Sequence, residues 1–110
     1  MEAADRYWQE KLRAPGQNAF VLLHEGLLRL LGQAEDALLT EDFLLSNDIL
    51  QRAQLVVFYI QQKLPEPEHQ AYYMRLHELL VEANMSSSVE AVTEIREGLL
   101  DAMTAWENAG

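Results

Sequence analysis

The sequence predicts an all-α fold: an antiparallel four-helix bundle with a short N-terminal helical segment. Apolar residues recur at three- and four-residue steps through four long stretches. Helix-breaking residues fall between those stretches, at Pro15-Gly16, at Leu64-Pro65-Glu66-Pro67 and at Ser86-Ser87-Ser88. No stretch alternates with period two, so strands are not expected. The chain has 110 residues, 49% of them hydrophobic and 24% charged, which suits one domain over residues 1–110 with its own core.

Residues 1–14 form the N-terminal segment. It carries Tyr7 and Trp8 but is too short to hold a helix alone, so those rings must dock on the bundle or on a partner, as a lid would. The first long helix, 18–40, carries Phe20, Leu23, Leu27, Leu31, Ala34 and Leu38 on one stripe. The second, 43–64, carries Ile49, Ala53, Val56, Val57, Ile60 and Leu64. Tyr72, Leu76, Leu79, Leu80 and Ala83 mark the third, 69–83, with Asn84 placed as a left-handed cap and Tyr73 at the core's border. The fourth, 88–107, carries Val92, Ile95, Leu99, Met103 and Trp106, and Ser87 and Glu90 have capping-box spacing at its start. Short connections between long helices imply antiparallel neighbours.

Charge and composition narrow the function. Eighteen acids against eight Lys and Arg give a net charge of −10, which disfavours capture of nucleic acid or an anionic membrane. With no cysteine there is no disulfide, thiolate zinc ligand or thiol nucleophile. No apolar run approaches the ~20 residues that span a bilayer, and no apolar region follows a basic start. The reading is a cytoplasmic protein without membrane insertion.

Three helices carry more apolar surface than one core stripe uses. On 43–64, Leu55, Phe58 and Tyr59 lie opposite the stripe, among the uncharged Gln51, Gln54 and Gln62. On 69–83, Met74, His77 and Val81 form a second row, and on 18–40, Val21, Leu28 and Leu39 share a flank with Gly32. Apolar side chains ringed by glutamine make a surface that is easily desolvated, as peptide or helix docking requires. The contrary reading is that each row packs against a neighbouring helix, because every bundle helix touches two others.

Catalytic and metal chemistry find little support. His24-Glu25 lacks the second histidine of a zinc helix, and Glu66-x-x-His69 is a single copy of a pattern that di-iron bundles use twice. No phosphate-cradling glycine loop and no Gly-x-Ser-x-Gly occur, and no acid lies within a core stripe. No enzyme, metal or cofactor is expected.

The stretch Tyr72-Tyr73-Met74-Arg75-Leu76-His77-Glu78-Leu79-Leu80-Val81-Glu82-Ala83-Asn84 resembles, without gaps, the Leu-Tyr-x-Tyr-Met-x-x-x-Leu-x-x-Ala-Asn segment of the flagellin-specific export chaperones of the FliS type. Tyr73, Leu80, Ala83 and Asn84 coincide with it. Leu23-His24-Glu25-Gly26 is similar to that family's Leu-Tyr-Asp-Gly signature, and Ala105-Trp106 to its closing Ala-Trp. Ala53-Gln54, and Leu64 ahead of the prolines, match two further marks. The likeness runs from about Ala14 to Trp106. Departures, among them His24 for a tyrosine and Arg13-Ala14-Pro15-Gly16 for Thr-Ala-Ser-Pro, mark a divergent member.

The resemblance implies a cytoplasmic chaperone, monomeric or a weak dimer, whose client is the C-terminal segment of flagellin. It would keep that segment from polymerising and deliver it to the flagellar type III secretion apparatus, with an export-gate component as a further partner. The expected client-binding residues are Tyr7, Trp8, Val21, Leu28, Leu55, Phe58, Tyr59, Met74, His77 and Val81. The alternative is a structural bundle that self-associates through its second rows.

Overall fold

The computed structural model describes residues 18–64 and 66–108. They form four helices: α1 (Asn18–Leu39), α2 (Phe43–Lys63), α3 (Pro67–Ser86) and α4 (Val89–Asn108). Each helix packs on its neighbours in the order α1–α2–α3–α4 and α4 closes against α1, giving a four-helix bundle 43 × 22 × 20 Å. Two-to-three-residue connections reverse the chain each time, so the α1–α2 and α3–α4 turns share one end of the rod. The expected segment 1–14, with Tyr7 and Trp8, lies outside the described residues, as do the side chains of Phe20 and Trp106.

The core follows the predicted stripes. Leu27, Leu31, Ala34 and Leu38 of α1 meet Ile49, Ala53, Val57 and Ile60 of α2, Leu76, Leu80 and Ala83 of α3, and Val92, Ile95 and Leu99 of α4. Leu50 is fully buried as well, and Leu23, Val56, Leu79 and Met103 sit half-buried around this centre.

The helix ends differ from the sequence reading in detail. Asp42 caps α2, its carboxylate accepting from the Leu45 amide at 3.2 Å. Pro67 opens α3 two residues earlier than expected, because the first helical position needs no amide donor. Asn84 does not cap α3. It stays helical while its Nδ2 donates to Asn47 Oδ1 of α2 at 2.9 Å, and the helix runs on to Ser86. The left-handed residue is Ser87, φ 51°, after which the Ser88 amide reaches back to the Ala83 carbonyl at 3.2 Å in a Schellman closure. Ser88, not Ser87, caps α4, with its Oγ accepting from the Ala91 amide at 3.1 Å. Glu41 closes α1 in the same left-handed way, φ 59°.

Candidate functional site

The outward face of α2 is the centre of the site. Leu55 is 70% exposed, Phe58 48% and Tyr59 51%, so none of them is needed by the core. Their phase explains this: core residues at 49, 50, 53, 57, 60 and 64 occupy one side, and 55, 58, 59 and 62 follow on the other at helical steps. Phe58 tilts against His77 of α3, ring centroids 6.4 Å apart. Met74, His77 and Val81 recur at three and four residues on α3, so the same flank brings all three to the α2–α3 seam. Met74 is exposed, His77 and Val81 half-buried. The two rows meet where Phe58 packs against His77. Tyr59 has Lys63 Nζ 5.2 Å above its ring.

The α1 row does not join them. Leu28, Gly32, Glu35 and Leu39 follow at steps of four, three and four, and Glu35 of this flank reaches α4. Its carboxylate accepts from Thr93 Oγ1 at 2.6 Å and from the Arg96 guanidinium. This flank therefore faces α4, away from the α2–α3 seam. Leu28 packs against the core, Val21 is half-buried, and Leu39 sits exposed at the far end of the helix, roughly 27 Å from Val21 at 1.5 Å per residue. Burial pushes the Glu35 carboxyl up, but hydrogen bonds from Arg96 and Thr93 with the Arg96 charge outweigh it and hold Glu35 below the usual glutamate range.

Two features escaped the sequence reading. The first is a polar contact inside the core. Tyr73 is 1% exposed and Tyr72 38%, the reverse of the expected assignment. The Tyr73 hydroxyl lies 2.6 Å from Nε2 of the fully buried His24, joining α3 to α1 across the bundle. Tyr72 stacks edge-on against Tyr73 at 5.0 Å, and burial raises its phenol above the ordinary range. Tyr73, Leu76, Leu80 and Ala83 are spaced three, four and three, a phase in which His69, also buried, falls four residues before Tyr73. Counting only apolar residues conceals that phase.

The second is a groove along the α3–α4 seam. Small residues on α4, Ala91, Gly98 and Ala102, leave space unfilled beside Leu76, Leu79, Ile95 and Leu99. Two adjoining cavities result, about 450 and 280 Å³, with Glu82, Glu94 and Arg75 among their lining residues. Among the described residues no group of three or more His, Asp or Glu could hold a metal ion, and no helix is long and apolar enough to cross a membrane.

Four helices packed around one core, with an apolar seam outside it and an apolar groove beside that seam, define the class of helical-bundle proteins. The comparison with known families agrees: the model of the family described as flagellar protein FliS matches residues 2–110. The chain belongs to that family, one of flagellar chaperones that bind flagellin, and not a family of enzymes. No curated protein matches the chain.

Proposed function

We propose that the chain is a cytoplasmic export chaperone for flagellin. It holds the C-terminal segment of flagellin as a monomeric bundle, keeps that segment from polymerising early, and passes it to the type III secretion apparatus. The observation that carries this is the apolar seam where Phe58 meets His77, with Leu55 and Met74 exposed and Val81 half-buried on its two helices, on a chain whose net charge is −10. Flagellin's C-terminal segment buries apolar side chains in the filament, and the seam offers them a substitute surface.

Magnitude shows how far the client must reach. Covering the exposed parts of Leu55, Phe58, Met74 and Val81 contributes roughly 3–6 kcal/mol, about half of full side-chain burial. Ordering a disordered client costs about 2–5 kcal/mol or more. Micromolar binding needs about 8 kcal/mol net. The seam alone falls short, so the client wraps onto further surface, and the α3–α4 groove is the apolar surface nearest to hand.

The test is calorimetric and NMR titration with a peptide of the flagellin C-terminal segment. The expected result is one-to-one binding, with shifts at Leu55, Phe58 and His77 and along the groove. Phe58→Asp is expected to weaken binding about tenfold or more, while helicity and melting stay near those of the parent chain. If the peptide fails to bind, or if Phe58→Asp unfolds the bundle, this reading is wrong.

A further inference from the structure

The end of the bundle that holds the α1–α2 and α3–α4 turns has a surface that the proposed client site does not use. Leu44 is 87% exposed and Met85 83%, the two most exposed large apolar side chains of those described, and Leu39, Phe43 and Leu45 are exposed close by. The Asn84–Asn47 hydrogen bond ties the last turn of α3 to the first turns of α2, so Met85 and the Phe43–Leu44 turn belong to the same end of the rod. On the α1–α2 side, a cleft of about 420 Å³ is lined by Ala37, Leu45 and Ile49 with Asp36, Asp48 and, toward the middle of the rod, Arg52, which pairs with Asp48. Apolar residues this exposed and this concentrated mark an interaction surface, where single scattered ones do not.

The charge around this crown is one-sided. Residues 30–51 and 76–95, which build this end of the rod, contain Glu35, Asp36, Glu41, Asp42, Asp48, Glu78, Glu82, Glu90 and Glu94 and no Lys or Arg. Arg29, Arg52, Arg75 and Arg96 bound those stretches and sit near the middle of the rod. Of the nine acids only Glu35, with Arg96, Asp48, with Arg52, and Glu78, with Arg75, meet one of these arginines. A second copy would bring the same acids against them, well within a Debye length of about 8 Å. An anionic membrane or a nucleic acid is repelled for the same reason.

We propose that this end docks a basic, apolar-anchored peptide segment of a partner protein, at a site centred on the turns and not on Leu55 and Phe58. Leu or Phe side chains of the segment cover Leu39, Leu44 and Met85, and its Lys or Arg residues meet Asp36, Glu41 and Asp42. Leu55 and Phe58 lie on the far half of α2, 11 and 14 residues from Leu44, whereas Val81 stands one helical turn from Met85, so the two surfaces adjoin there.

The probe is an amphipathic peptide of about 14 residues built from Leu and Lys, long enough to fold on a surface, with a Leu and Glu peptide of equal length as control. Both are titrated into the isotope-labelled full chain. The Lys peptide is expected to shift the amides of Leu39, Leu44 and Met85 saturably, and to bind several-fold more weakly when salt rises from about 50 to 300 mM. The Glu peptide is expected to leave them unmoved. Leu44→Ser with Met85→Ser is expected to reduce affinity about tenfold, with melting unchanged because both side chains are already in water. Equal binding by this double variant, or shifts centred on Leu55 and Phe58, would overturn the proposal. So would movement of the same amides on dilution of the free chain, which would assign the crown to a second copy, or on deletion of residues 1–14, which would assign it to the chain's own N-terminal segment.

Discussion

Tyr73→Phe removes one oxygen from the interior and tests whether the His24 contact holds α3 in place. The hydroxyl sits 2.6 Å from a ring nitrogen of a histidine with no exposed surface, so nothing outside can take over that bond without local opening. Removing one partner of a buried hydrogen bond costs about 1–3 kcal/mol. Unfolding entropy near 2.1 cal/mol/K per residue converts each kcal/mol into roughly 4 °C for a chain of this length. A loss of about 2 kcal/mol therefore lowers the melting midpoint by roughly 9 °C. The double variant His24→Leu with Tyr73→Phe replaces both members of this hydrogen bond by apolar side chains of similar bulk, and is expected to cost less than the sum of the two single changes. Thermal and urea unfolding followed by circular dichroism read both quantities. Because Phe keeps residue 73 inward, Met74 and His77 stay outward, and client affinity below the melting range is expected to hold within about twofold. A Tyr73→Phe chain that melts within about 2 °C of the parent would refute the reasoning. A double variant that loses the full sum of the two single changes would refute it too.

Ile60→Asp is expected to abolish the cooperative melt, since Ile60 is fully buried and a lone carboxylate there has no partner; a normal melt would count against the core assignment. The α1–α4 contact makes stability fall in acid. Glu35 ionises below its ordinary 4.5 in the folded chain, so its contribution is complete above that value and is lost as pH drops through the lower folded one. Glu35→Gln is accordingly expected to flatten the pH dependence of melting below about pH 5, with little change near neutrality beyond about 1 kcal/mol. An unchanged acid limb would show that Glu35 does not contribute. Glu41→Gly relieves a left-handed conformation at the end of α1, and is expected to raise stability by about 0.5–1 kcal/mol in urea unfolding.

The fold was legible because four stripes of Leu, Ile, Val and Ala repeat with helical period, and their burial depends on little else. The α2 row was legible for the same reason in reverse. Leu55, Phe58 and Tyr59 stand so far around from Ile60 and Val57 that no rotation of the helix buries both sets. Tyr72 and Tyr73 were not separable this way. They are adjacent, equally apolar in body, and 100° apart on the helix, and what decides between them is a histidine 49 residues away. The α3–α4 groove was hidden because it depends on what Ala91, Gly98 and Ala102 fail to fill. The crown at the turn end was hidden because the core stripe of this helix is legible only from Ile49 on, and nothing in the period assigns Phe43, Leu44 and Leu45 to the core or to the surface. Helix α2 begins its burial only at Ser46, which leaves its first turn outside the bundle.

The glutamines beside Leu55 and Phe58 and the acidity of the chain serve one physical requirement. A partner that covers Leu55 and Phe58 must also desolvate whatever surrounds them. An ion there costs several kcal/mol to bury unless it is paired, whereas a glutamine amide can keep hydrogen bonds to the partner's backbone or to interface water. Gln51, Gln54 and Gln62 fill those positions. Exposed apolar seams would by themselves draw copies of the chain together, and a net charge of −10 opposes that at every approach. Replacing the acids with neutral residues would leave the seam intact and still impair the protein, because the first partner such a seam would meet is another copy of itself.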